Sequence, residues 1–219
     1  MPYYIDAEKT NLDDLQKRIE ETDLIPSRSS LTVNIEDNFE KLKAQGFLTL
    51  WDLRKELKYS KNIPSLSKKT GVDYDYLVLL RREIEGYFPK PLPLCAFDGF
   101  QKGEIEKLEK CGLKNSVLLH EALDSAKKRS EISARTGIAG TRIDIFYSLI
   151  DLTRIQWISP IAAGMLVAAG YDTIKRVSQA DADELYNALD RVNKERNFFK
   201  GKIGLRDVKR IVKAASYVK

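Results

Sequence analysis

The feature that most constrains the fold is a pair of glycine landmarks that recurs 66 residues further along the chain. Gly46 ends one leucine-containing helical pattern and Gly112 ends a second, closely similar one. A basic residue followed by Thr-Gly then places Gly71 and Gly137 25 residues after the first glycine in both copies. Glycine just past a helix end adopts the left-handed backbone conformation without steric cost. Two landmarks with the same spacing therefore predict repeated helical units.

A third copy of the pattern is predicted near the end of the chain. The segment AGMLVAAGYDTIKRV repeats the first landmark with Gly170 in the position of the helix-ending glycine. Its second landmark is expected at Ile203-Gly204-Leu205, 34 residues after Gly170. The sequence therefore predicts about three units of helix, turn and helix.

Helix starts are marked along the whole chain. Thr10 with Asp13, Thr49 with Asp52 and Asp181 with Glu184 have the spacing of capping boxes. Ser159 precedes Pro160, which suits a first helical position, and the Ser159 hydroxyl is expected to cap that helix. Apolar residues follow at steps of three and four, so the predicted fold class is all-α.

Three prolines supply the expected internal boundary. Pro89, Pro91 and Pro93 disfavour helix and favour an extended segment. Residues 1–92 and 93–219 could accordingly fold as two lobes. The predicted division is an N-terminal arm and helix over 1–30, a first repeat over 31–92, a second over 93–153, and a third over 154–219 that includes basic C-terminal helices.

Composition narrows the class of protein. A content of 43% hydrophobic and 32% charged residues is typical of a globular rather than a disordered protein. No apolar run approaches the roughly 18 residues of a membrane span, and the first residues lack a signal peptide's pattern, so a cytoplasmic location is predicted. Cys95 and Cys111 are expected to be isolated buried thiols, and one histidine cannot complete a zinc site with them, so neither a metal nor another cofactor is predicted.

No catalytic constellation is recognisable in the sequence. His120 lies in an apolar helical setting that is more typical of a structural histidine than of a general base. The stretch from Gly137 to Thr141 is too short for a phosphate loop and has no lysine. Paired carboxylates fall at helix starts, where they interact with the helix dipole. The chain is therefore predicted not to be an enzyme.

Positive charge is concentrated at the C-terminal end. From residue 191 onwards ten basic residues accompany only Glu195 and Asp207, within a chain whose net charge is +5. Such a region attracts phosphate backbones, although a solvated helix face is an equally good interpretation. Arg206, Lys209, Arg210 and Lys213 share one face of a helix by their spacing.

The stretch from Ile150 to Val177 resembles a helix-hairpin-helix unit. Together with ARTGIAGTRIDIFYSLIDLTRI before it, the chain from about residue 94 is similar to a bacterial domain-of-unknown-function family of the helix-hairpin-helix superfamily. The resemblance implies a compact helical fold and nucleic-acid binding, without an established reaction. Such units present hairpin N–H groups to phosphate. The hairpins are expected at residues 31–35, 97–103 and 156–160.

These arguments predict a non-catalytic module that binds DNA or RNA without reading its sequence. The alternative is a protein-interaction or scaffolding module whose degenerate units bind no nucleic acid. Trp51 is expected to pack and Trp157 to be partly exposed. The residues predicted to contact nucleic acid are Gly99, Lys102, Gly103, Trp157, Ser159, Phe199, Lys200, Lys202, Arg206, Lys209, Arg210 and Lys213.

Overall fold

The computed structural model describes residues 2–218, and the regular structure in this range is entirely helical. It contains thirteen α-helices and three short 3-10 helices, with isolated β-bridges and no strand among the described residues. The predicted all-α fold class is confirmed. No helix of the described range is both long and apolar enough to cross a membrane.

The chain divides into two compact units. The N-terminal unit is Ile5–Phe88, and the C-terminal unit consists of the described residues on either side of it, 2–4 and 89–218. Each unit has its own buried apolar cluster, as expected when amphipathic helices turn their apolar faces inward. Tyr3 and Tyr4 therefore pack with the C-terminal unit although they precede the N-terminal one.

The N-terminal unit has five α-helices around a core that includes Phe39, Leu53 and Leu77. They are α1 (Leu12–Glu21), α2 (Ile35–Ala44), α3 (Leu50–Leu57), α4 (Ile63–Thr70) and α5 (Tyr74–Glu85), with 3-10 helices at Pro26–Thr32 and Ser60–Asn62.

The C-terminal unit has eight α-helices around a core in which the rings of Phe100 and Phe146 stack 3.9 Å apart. They are α6 (Lys102–Lys110), α7 (Ser116–Leu123), α8 (Ala126–Thr136), α9 (Gly140–Leu152), α10 (Pro160–Ala168), α11 (Ile174–Ser178), α12 (Ala182–Arg196) and α13 (Leu205–Ala215), with a 3-10 helix at Leu94–Ala96.

Three tight turns with the same backbone geometry join helix pairs. Gly46, Gly112 and Gly170 have φ of 86°, 83° and 88°, values that favour glycine. The next residue in each turn donates its N–H to the carbonyl of a buried leucine in the preceding helix, which is the closing bond of a Schellman motif. We call the turns over residues 45–49, 111–115 and 169–173 the first, second and third hairpin.

The hairpins do not lie where the sequence placed them. The segments 31–35, 97–103 and 156–160 lead into α2, α6 and α10, one helix before each observed hairpin. The reason is that the helix-ending glycines do not terminate a unit of helix, turn and helix. In the structure each such glycine is the turn itself, and an N-cap (Thr49, Asn115 or Thr173) starts the next helix three residues later.

The second landmark has one geometry in both copies. Gly71 and Gly137 end α4 and α8 in the left-handed conformation. The hydroxyl Oγ of Ser67 donates to the carbonyl of Val72 at 2.7 Å, and Ser133 makes the same 2.7 Å bond to Ile138. Both serines thus tie the end of a helix to the chain that leaves it.

The third copy of this landmark was predicted at the wrong place. Asn197, and not Gly204, ends the corresponding helix in the left-handed conformation, with φ of 52°. Gly204 is instead the N-cap position of α13. Asparagine tolerates this conformation better than most residues, so a glycine search alone misses it.

Three of the four predicted helix starts are confirmed. Thr49 and Asp52 form a capping box, and the side chains of Ser159 and Asp181 accept backbone hydrogen bonds at the starts of α10 and α12. The fourth was wrong, because Asn11 and not Thr10 caps α1. The Thr10 hydroxyl donates to the carbonyl of Asp6 instead.

Candidate nucleic-acid interface

The loop between α12 and α13 is held in a fixed shape by one asparagine. The side chain of Asn193 accepts a hydrogen bond from the N–H of Phe199 at 2.8 Å and donates one to its carbonyl at 2.9 Å. The N–H of Asn197 also bonds back to the carbonyl of Asn193. Asn193 therefore holds both the end of α12 and the backbone of the residue that carries the exposed ring.

Phe199 presents its ring to solvent from this loop. The side chain is 45% exposed, and a Cβ placed on Gly201 would lie 2.4 Å from the ring. Glycine at position 201 thus lets the ring rest against the backbone of the loop. The result is an aromatic surface that is supported on one side and open on the other, which is the arrangement that stacking of bases requires.

Two lysines follow Phe199 in the same loop. Lys200 and Lys202 are exposed, and within residues 2–218 neither has an ion-pair or hydrogen-bond partner for its side chain. By contrast, Lys194 on α12 pairs with Asp190 at 2.5 Å. The two loop lysines therefore remain available to an anion.

Helix α13 extends the positive surface, but not in the predicted form. Arg206 and Lys209 are exposed, whereas Lys213 is half-buried with its amine 5.2 Å from the ring centre of Tyr217. Arg210 is buried at 8% exposure and pairs with Asp207 at 3.2 Å. Its position four residues before buried Ala214 puts it on the inner side of the helix.

At the predicted phosphate site, Gly99 packs against a neighbouring helix and Gly103 lies in the first turn of α6. Gly99 packs so closely on α9 that a Cβ there would lie 2.9 Å from Leu149, and its carbonyl accepts from Arg142 at 2.6 Å. Lys102 and Gly103 are exposed in the first turn of α6.

The carboxylate of Glu104 lies at the start of α6, where a phosphate would bind. It accepts from the N–H of Gln101 at 2.9 Å and pairs with Arg142 at 2.7 Å. The hydrogen bonds from Arg142 lower the pKa of Glu104, so the group is firmly negative at neutral pH. A negative charge here repels the phosphate that the sequence predicted.

One of the two tryptophans differs from expectation. Trp157 is 37% exposed, as predicted, and has a φ of 71°, which is uncommon for a bulky residue. Trp51 was expected to pack but is 46% exposed, because it follows the first residue of α3 on the side away from buried Leu50 and Leu53. Ser159 uses its hydroxyl to cap α10.

Backbone N–H groups of the first hairpin are already occupied. Leu48 and Thr49 both donate to the carboxylate of Asp52, and Leu50 and Trp51 donate to carbonyls near α1. The hydrogen bonds from Thr49 lower the pKa of Asp52, which keeps this internal acceptor charged. Phosphate contact by this hairpin would have to displace these bonds.

The histidine, cysteine and carboxylate side chains are dispersed over the described chain. Among residues 2–218, no group of three or more histidine, cysteine or carboxylate side chains is placed to hold a metal ion. The cysteines are not both buried as predicted, since Cys95 is exposed and Cys111 is half-buried.

Sequence reasoning missed two features of this region. Asn193 carries no motif of its own, and only its position four residues before a second asparagine hints at a role in ending α12. The adjacent rings of Phe198 and Phe199 have different surroundings, since that of Phe198 packs against Gly164 on α10.

Comparisons with known proteins give one match. No curated protein and no solved structure matches the chain. A family model described as "Domain of unknown function (DUF4332)" matches residues 98–217, which is more than half of the chain and includes all eight α-helices of the C-terminal unit. The chain therefore belongs to the DUF4332 family of domains of unknown function.

Proposed function

We propose that this protein is a non-catalytic module that binds nucleic acid without reading its sequence. The observation that carries the proposal is the loop held by Asn193, in which Phe199 is 45% exposed and is followed by two exposed lysines, Lys200 and Lys202, that have no partner in the described chain. We name the surface formed by Phe199, Lys200, Lys202, Arg206 and Lys209 the basic loop face.

The chemistry of this face suits a polyanion with unstacked bases. Exposed lysine and arginine side chains neutralise phosphates and release counterions, a contribution that is independent of sequence. An exposed ring adds stacking with any base, which is worth about 1–3 kcal/mol. Because the loop is already held by Asn193, little ordering is required when a strand binds.

The wider fold is proposed to be tandem helix-hairpin-helix-like units that act mainly as a scaffold. Support comes from the shared geometry of the three hairpins and from the landmark hydrogen bonds that recur 66 residues apart. Since the first hairpin has its N–H groups bonded internally, we assign phosphate contact to side chains of the basic loop face. Gly99 and Gly103 are not part of that face.

A second candidate is a protein-contact module. It is favoured by exposed apolar side chains at the first hairpin, where Leu48 is 65% and Trp51 46% exposed. Apolar side chains exposed three residues apart are typical of contact surfaces, although single exposed residues are common on any protein. This candidate becomes the leading one if nucleic acid does not bind.

The test is fluorescence anisotropy with labelled single-stranded and duplex DNA and RNA at about 50 and about 200 mM salt. We expect micromolar binding that weakens steeply with salt, and a loss of about tenfold or more in Lys200→Glu/Lys202→Glu. The slope of log affinity against log salt should also fall by about 1 to 2 in that variant, since about 0.7–0.9 is expected for each phosphate contact.

A charge-matched control separates a local contact from general attraction. Lys114→Glu/Lys127→Glu changes the net charge equally, at two exposed lysines of the same unit, and should alter affinity by less than about threefold. Equal losses in both double variants would contradict a defined face. No binding at the lower salt concentration would overturn the proposed function.

A further inference from the structure

An apolar groove opens beside the basic loop face within the C-terminal unit. Its volume is about 310 Å³, at the lower end of the roughly 300–1,000 Å³ typical of small-ligand sites. Helix α9 contributes Ile145 and Leu149, and α10 contributes Ile161 and Ala168, with Phe198 from the loop after α12.

Close packing at two glycines shapes the walls. The ring of Phe198 rests against Gly164, where a Cβ would lie 3.4 Å from the ring, and a Cβ on Gly99 would lie 2.9 Å from Leu149. Ile145 and Ile161 remain 38% and 40% exposed. The groove therefore offers apolar surface that the described residues do not cover.

Two charged side chains line the same groove. Asp98 and Arg196 are exposed, and within residues 2–218 neither side chain has a hydrogen-bond or ion-pair partner. An apolar groove that carries one free carboxylate and one free guanidinium suits a flat ligand of a particular kind. Such a ligand has hydrogen-bond donors for the carboxylate and a covalently linked anionic group for the guanidinium. A purely aliphatic ligand would use neither charge.

We propose that the groove binds an unpaired nucleobase of a single strand whose phosphates lie on the basic loop face. This inference rests on the proposed function and adds the class of nucleic acid. The apolar walls would cover the faces of the base, as aromatic and apolar side chains do in other sites for unpaired bases. Arg196 would attract a phosphate of the same nucleotide.

Continuity along the chain supports this occupant. Phe198 lines the groove and Phe199, the next residue, lies on the basic loop face, so one short strand can reach both rings. Asp98 would accept hydrogen bonds from exocyclic amino groups, which cytosine, adenine and guanine carry and thymine and uracil lack. In a duplex these groups are already paired, and the base cannot enter the groove.

The experiment compares labelled single strands of about twelve nucleotides with duplexes of equal length at about 50 mM salt. We expect the wild-type protein to bind oligo-dA and oligo-dC about tenfold more tightly than duplex, with oligo-dT weaker than either. The variant Ala168→Leu fills the groove and should lose most of the single-strand preference while its duplex affinity changes less than about twofold.

Matched variants test the parts separately. Ala188→Leu makes the same change at a half-buried position of α12 outside the groove and should leave the preference intact. Asp98→Asn should reduce the advantage of oligo-dA and oligo-dC over oligo-dT. In spectra of protein labelled at isoleucine methyls, single strands should shift Ile145 and Ile161, and the shifts should be absent in Ala168→Leu.

The outcomes distinguish this inference from the proposed function. Salt-sensitive binding with equal affinity for single strands and duplexes overturns the nucleobase site and leaves the phosphate-binding proposal standing. Unchanged single-strand binding by Ala168→Leu has the same consequence. Failure to bind any nucleic acid overturns both.

Discussion

Two residue pairs that lie 66 positions apart occupy corresponding places in the two units but have different environments. In the N-terminal unit, Arg54 on α3 pairs with Glu85 on α5 at 3.0 Å. In the C-terminal unit, His120 on α7 pairs with Asp151 on α9, also at 3.0 Å. The side chains of the first pair are 28% and 40% exposed, whereas those of the second are 0% and 13% exposed.

A third position extends the correspondence. Phe88 follows Glu85 by three residues, and the guanidinium of Arg54 lies 3.7 Å from the centre of its ring. Arg154 follows Asp151 by three residues, and its Nη1 lies 2.6 Å from the Asp151 carboxylate. The aromatic and basic positions are therefore exchanged between the units, while the acidic position is kept.

The N-terminal arm, which is residues 2–4 of the C-terminal unit, contacts the buried pair through Tyr3. The ring of Tyr3 meets that of His120 edge-on, and its hydroxyl lies 3.3 Å from Ser116 Oγ and 3.2 Å from Thr153 Oγ1. The carbonyl of Tyr3 accepts from Arg154 Nε at 3.1 Å. These bonds join residues more than a hundred positions apart.

The electrostatic consequence is visible at Asp151. Burial alone opposes its charge, but the hydrogen bond from His120 and the charge of Arg154 outweigh burial, so the pKa of Asp151 is lowered. The comparison shows that equivalent positions on two packed helices can hold either a solvated ion pair or a buried network. Breaking the two pairs should change the free energy of unfolding by different amounts, because a buried charge without its partner is far more costly than an exposed one.

The largest effect is expected for Asp151→Ala. The change removes the carboxylate that pairs with Arg154, whose side chain is only 4% exposed, and should lower the free energy of unfolding by about 3–5 kcal/mol. The measurement is urea unfolding followed by Trp157 fluorescence in a Trp51→Phe background, since Trp157 then reports on the C-terminal unit alone. A loss below about 1 kcal/mol would show that the network is not a structural requirement.

A control on the same helix tests whether burial is the cause. Asp144 on α9 pairs with Arg129 at 2.8 Å but is 64% exposed. Asp144→Ala should therefore cost less than about 1 kcal/mol. Similar losses in the two alanine variants would assign the effect of Asp151 to helix α9 in general.

An intermediate loss of stability is expected when Tyr3 loses only its hydroxyl. Tyr3→Phe keeps the ring against His120 and removes the contacts to Ser116 and Thr153, with an expected loss of about 1 kcal/mol. Ser116 still accepts from the N–H of Leu92, and Thr153 still donates to the carbonyl of Ile150, so neither group is left unbonded.

The same unfolding assay tests whether Tyr3 and the His120–Asp151 pair stabilise the unit independently. A double variant, Tyr3→Phe with Asp151→Ala, should lose less than the sum of the single losses, because both changes act on one network. Strict additivity would indicate that the arm and the pair stabilise the unit independently.

Local signals predicted much of the fold. Short-range interactions between neighbouring residues determine the helix starts at Thr49, Ser159 and Asp181 and the left-handed glycines, so the sequence pattern is enough to predict them. The docking of Tyr3 could not be predicted, because its partners lie 113 and 150 residues away.

The candidate site was predicted less completely than the helices. The sequence proposed Lys200, Lys202 and Phe199, which lie in the loop between α12 and α13. It also proposed Arg210, whose burial depends on which side of α13 faces the core. A helical wheel shows that residues share a face but not which face is buried, so this outcome depends on tertiary packing.

The smallest effect is expected for Glu85→Ala in the N-terminal unit. Arg54 would keep its contact with the ring of Phe88 and its access to water, so the free energy of unfolding should fall by only about 0.2–1 kcal/mol. Trp51 fluorescence in a Trp157→Phe background reports on this unit, and the effect should shrink further at about 0.5 M salt because exposed pairs are screened. A salt-insensitive loss of about 3 kcal/mol would mean that Arg54 and Glu85 contribute as much to stability as His120 and Asp151. The two units would then differ in the residue types of the pair and not in the effect of burial on its strength.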